Sequence, residues 1–150
     1  MYKTFLLILF LAGISLASEV DLHSPSSAVT SYYDAMNEGD LVALKQIMVQ
    51  ESFDMDVQVY ALSIALKDPD FHTILKQYAN SDEAREIVKK EVAKKLRSRS
   101  KRAATALQES KMGSDRFMVR FMEDTKAKQL YLSKHNRSWK IDYKAGRKTN

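Results

Sequence analysis

Asp70 and His72 stand two residues apart in the segment Asp68-Pro69-Asp70-Phe71-His72. An imidazole beside a carboxylate is a pairing that moves protons, as in dehydration or isomerisation. The same position reads equally as an exposed side chain near a helix terminus. His23, His72 and His135 fall in three separate segments, and no two lie at metal-ligand spacing. No metal is therefore expected. The chain has no cysteine, which excludes disulfides, thiolate catalysis and Cys-ligated zinc. Its serines sit in no nucleophile elbow, and its four glycines form no phosphate-cradling loop. No cofactor is expected.

The densest chemical feature is cationic. Residues 85–102 hold nine Lys or Arg against two Glu. Lys94, Lys95, Arg97, Arg99, Lys101 and Arg102 make up its candidate basic surface. A groove for nucleic acid would interleave such cations with aromatic side chains. None occurs between Tyr78 and Phe117, so nucleic acid is not an expected partner. Two readings stay open. One is attraction to an anionic envelope surface. The other is a solvated helix face running into an edge strand, where Lys and Arg discourage edge pairing. The overall charge of +5 hides a larger asymmetry. Residues 19–84 carry 3 cations and 12 acids, and residues 85–150 carry 20 cations and 7 acids.

The elements that position these groups follow from the patterning. Lys3, the apolar run beginning at Phe5 and the small residues Ser15 and Ala17 read as a secretory signal peptide over 1–17. Cleavage near Ala17/Ser18 would leave a periplasmic or secreted domain over 18–150, with no transmembrane anchor. Ser24-Pro25 opens a helix bearing Ala28, Val29, Tyr32, Ala35 and Met36 on one stripe, and Gly39 ends it. Asp40 caps a second helix running to about Gln50. Residues 51–67 fit a helix better than the strand that 54–60 also permits. Asp68-Pro69 and Asn80-Ser81-Asp82-Glu83 start two more helices, the second reaching about Arg97. From about Ser98 the period becomes 2. Three strands around Phe117–Phe121, Leu130–Leu132 and Trp139–Tyr143 form a meander, with a fourth over Lys101 to Ser110. Helices first and strands later make an α+β domain, with a polar tail over 145–150.

The pattern Ala28-Val29-x-x-Tyr32-x-x-Ala35-Met36-Asn37-x-Gly39-Asp40-Leu41 resembles the opening helical hairpin of the nuclear transport factor 2-like superfamily, and in particular its small secreted bacterial domains of unknown function. Trp139-Lys140-Ile141-Asp142-Tyr143 resembles their last strand. The resemblance implies a cone: helices on a curved antiparallel sheet of about four strands, a pocket between the layers, and a dimer through the sheet. Tyr32, Tyr60, Phe117, Phe121 and Trp139 are its pocket candidates. Ketosteroid isomerases of this superfamily pair a helix-one tyrosine with an aspartate base, and Tyr32 and Asp56 fall at similar places. The third group of that chemistry, a neutral carboxylic acid on a later strand, has no counterpart. The resulting expectation is a non-catalytic exported binding or accessory module for a small apolar ligand or a periplasmic protein. A cofactor-free isomerase or dehydratase using Tyr32, Asp56 or His72 is the catalytic alternative. An electrostatic binder of anionic envelope material is the third.

Overall fold

The computed structural model describes residues 20–147. The expected leader, residues 1–17, lies outside them, as do the last three residues of the expected tail. Five helices precede four strands: α1 (Pro25–Glu38), α2 (Leu41–Ile47), α3 (Gln50–Ala65), α4 (Pro69–Lys76), α5 (Asp82–Arg97), β1 (Ala104–Lys111), β2 (Arg116–Glu123), β3 (Lys126–His135) and β4 (Ser138–Ile141). The α+β expectation holds, with a curved open sheet of four strands in the order β1-β2-β3-β4.

Local chemistry sets most of the helix ends. Ser24 accepts from the Ser27 amide in a reciprocal cap, and Pro25 follows at the first helical position. Asp40, Asp68 and Ser81 cap α2, α4 and α5 through their side-chain oxygens. Gly39 closes α1 with φ +63°. A Cβ there would come within 2.4 Å of the Ala93 carbonyl oxygen, so glycine also lets the α1–α2 turn lie against α5.

One helix start is tertiary. Val49 has no side-chain cap to offer α3. Instead its amide donates to the Ile141 carbonyl at 3.0 Å, and Met48 bridges Ile141 in parallel. The second helix therefore stops at Ile47, short of the Gln50 that the sequence suggests, because two residues are drawn out to extend the sheet.

The sheet register puts Phe117, Val119, Phe121, Leu130, Leu132 and Ile141 on one face, toward the helices. They meet Val29, Ala35, Ile47, Val88 and Val92 in one core. Asp124 and Asn136 turn the two later hairpins with positive φ, a conformation these two residue types tolerate. The C-terminal segment is bound down further than expected. Residues 142–147 form turns, Ala145 is buried, and Tyr143 donates its amide to the buried Ser52 hydroxyl at 3.0 Å. Residues 145–147 are thus part of the packed domain, not a fraying tail.

Candidate functional site

A cleft of about 70 Å³ opens where α1, the middle of α3, the segment after α5 and the end of β2 converge. Tyr32 and Tyr33 reach it from α1, Tyr60 from α3 and Glu123 from β2. Arg99 and Arg102 enter from residues 98–103, which cross from the helical layer to the sheet. That crossing is held by Asn37, at the C-terminal end of α1. Its amide donates to the Arg102 carbonyl at 2.7 Å and accepts from the Arg102 amide at 2.9 Å.

The electrostatics of the cleft are uneven. Glu123 accepts from Tyr33 Oη at 2.5 Å and from Arg102 Nη1 at 3.1 Å. The tyrosine hydrogen bond, then the Arg102 charge, hold its carboxyl below the usual glutamate range, so it is ionised and neutralises Arg102. Burial, then the Glu123 contact, push the Tyr33 phenol upward, and it stays a donor. Among the described residues no carboxylate lies within ion-pair distance of Arg99, although its charge also helps to hold Glu123 ionised. Arg99 Nη1 donates to the Tyr60 hydroxyl at 2.5 Å, and its guanidinium lies over the Tyr60 ring, 5.1 Å from the centroid. The cleft thus holds two cations against one anion, with the unbalanced charge fixed in place by an aromatic ring.

Behind the cleft lies a second polar group. Asp56 accepts from Tyr32 Oη at 2.9 Å and from Tyr143 Oη at 2.8 Å, one bond to each carboxylate oxygen. Burial raises its pKa, and the two hydroxyls offset only part of that rise. Burial, then the Asp56 charge, raise both Tyr32 and Tyr143, so both remain donors. The space beside Asp56 is about 10 Å³, no more than one water position. Chemically, the arrangement ties α1, α3 and the C-terminal turn together through one half-buried carboxylate.

No family model, curated protein or solved structure matches this chain. The site therefore rests on its own geometry.

The fold brings some of the candidates from the sequence together and separates others. Tyr32 and Asp56 meet, and Tyr32 and Tyr60 line the cleft. Phe121 and Trp139 are buried in the core. Phe117 packs edge-on to Trp139, with ring centroids 4.9 Å apart, and is not in the cleft. His72 is exposed on α4, outside the cleft. The basic stretch divides. Lys94 is exposed and 3.7 Å from Glu91, and Arg97 and Lys101 face solvent. Lys95 is half-buried on the same helix. Only Arg99 and Arg102 turn into the cleft. Among the described residues no group of three His, Asp or Glu converges as a metal site would.

Sequence reasoning missed Tyr33, Asn37, Glu123 and Tyr143. Tyr143 reads as the end of a strand, but the strand stops at Ile141. Glu123 carries one sequence signal, as the lone acid of β2.

Proposed function

We propose that the protein is a non-catalytic exported binding module, periplasmic once its leader is removed, whose cleft takes the carboxylate end of a small organic acid. The observation that carries this reading is Arg99, a guanidinium held on Tyr60 at the cleft with no acidic partner among the described residues. Among the described residues only its Nη1 is engaged, so its other N–H groups can meet a carboxylate, and Tyr32, Tyr33 and Tyr60 line the cleft for the atoms behind it. The cleft volume of about 70 Å³ corresponds to about five water positions, enough for a carboxylate head but not for a steroid-sized body. Ionised Glu123 favours a monoanion over a dianion. This differs from the apolar ligand expected from the sequence, because the open cleft is walled by Arg and Tyr. The likeness to the nuclear transport factor 2-like superfamily is proposed on the same footing, supported by the helices-on-sheet arrangement.

The test is a nuclear magnetic resonance titration of labelled protein with benzoate, and with inorganic phosphate as the dianionic comparison. Benzoate should shift the Arg99 and Ser100 amides saturably, and Arg99→Ala should remove the response. Shifts that are unsaturable, or unchanged in Arg99→Ala, would overturn the reading.

A cofactor-free isomerase is favoured by one observation, the Tyr32–Asp56 contact beside a raised carboxylate pKa. Against it stand the occupation of both Asp56 oxygens and the lack of space for a substrate. Enolisation of a steroid-like ketone, lost in Asp56→Ala, would establish it.

A further inference from the structure

The outer side of α3 carries a feature unrelated to the cleft. Met55, Val59 and Leu62 on α3 and Leu66, the residue that caps its C-terminus, are 43%, 58%, 54% and 86% exposed. Their spacing of four, three and four residues is that of a coiled-coil seam, and the core-facing side of the same helix is supplied by Phe53, Val57 and Ala61. The ten residues Val57 to Leu66 contain no charge, in a chain of which 29% is charged. A solvated helix face in such a chain would be expected to carry Lys or Glu.

We propose that this stripe pairs with the same stripe of a second copy, antiparallel across a two-fold axis. The register that places Val59 opposite Leu62 of the second copy also places Met55 opposite Leu66. It brings Asp54, just before the stripe, opposite Lys67, just after it, twice across the axis. The stripe is thus self-complementary in shape and in charge, as an isologous contact requires. A dimer through the sheet is less well matched. The outer sheet face carries Arg116, Arg120 and Lys140, with Asp142 at its rim, so two copies there would set like charges against each other. Four side chains from each copy make a small interface, and the dimer is expected to be reversible.

Sedimentation of the full chain across a concentration series tests this. The mass should double as concentration rises, and Val59→Glu should weaken association by more than about 100-fold. Val59 is exposed, so its melting curve should be unchanged, which separates lost pairing from lost folding. Charge reversal gives the register. Asp54→Lys should weaken the dimer, and the added Lys67→Asp should restore it. Because the chain has no cysteine, Val59→Cys mixed with Leu62→Cys should give an oxidised heterodimer faster than either alone gives a homodimer. A monomer at every concentration, or a dimer insensitive to Val59→Glu, would overturn the proposal. So would capture of the monomer by neutral phosphatidylcholine vesicles that Val59→Glu abolishes, which would assign the stripe to a membrane surface.

Discussion

Replacing Asp56 removes the acceptor shared by two tyrosine hydroxyls from different parts of the chain. Each hydrogen bond to an ionised carboxylate contributes about 1.5–3 kcal/mol, and an orphaned buried hydroxyl loses its partner outright. Part of this is returned, because Asp56→Ala also relieves the burial that raises the carboxylate's pKa. The net loss for Asp56→Ala is expected at about 2–4 kcal/mol. Asp56→Asn keeps the volume and one acceptor without the charge, and should cost about 1 kcal/mol or less at neutral pH. The pH dependence separates the two effects. A carboxylate whose folded pKa lies above its unfolded value of 3.8 binds its proton more readily in the folded state. Its contribution to stability is complete below the unfolded value and is lost as pH rises through the folded one. The stability of the native chain relative to Asp56→Asn should therefore grow as pH falls from neutral toward 3.8, then level off. Urea unfolding followed by the single, buried Trp139 reads this directly. A difference that is flat with pH, or one that grows with rising pH, would refute the assignment of a raised pKa. A loss below about 1 kcal/mol for Asp56→Ala would refute the linking role.

Two other perturbations test the scaffold around the site. Gly39→Ala puts a side chain at φ +63° with its Cβ 2.4 Å from a backbone oxygen, and should cost at least about 2 kcal/mol in urea unfolding. Ser52→Ala leaves the Tyr143 amide without its buried acceptor. It should cost about 1–3 kcal/mol and speed amide exchange at Tyr143 ahead of the core strands.

What the sequence reveals and what it hides divide along the range of the interactions. The helix starts at Ser24, Asp40, Asp68 and Ser81 are legible because each cap is a side chain within three residues of the amide it binds. The meander is legible because period 2 and the intervening turns are local. The break at Met48-Val49 is not, because it depends on Ile141, more than ninety residues on. Tyr32 is legible on its helix stripe, and Asp56 through the resemblance to ketosteroid isomerases. Their union with Tyr143 depends on a C-terminal turn that the sequence reads as the end of a strand and a tail. The cationic run was visible as a composition. Which of its members face the cleft depends on the path of residues 98–103, fixed by Asn37 more than sixty positions earlier.

The central claim is that Arg99 presents an unbalanced charge to a small carboxylate. Calorimetric titration with benzoate of the native chain, Arg99→Ala and Arg97→Ala measures it most directly, since Arg97 is a solvent-facing arginine only two residues away. Saturable binding that is retained in Arg97→Ala and weakened at least about tenfold in Arg99→Ala is the predicted result. Equal binding by all three, or none by the native chain, would contradict it.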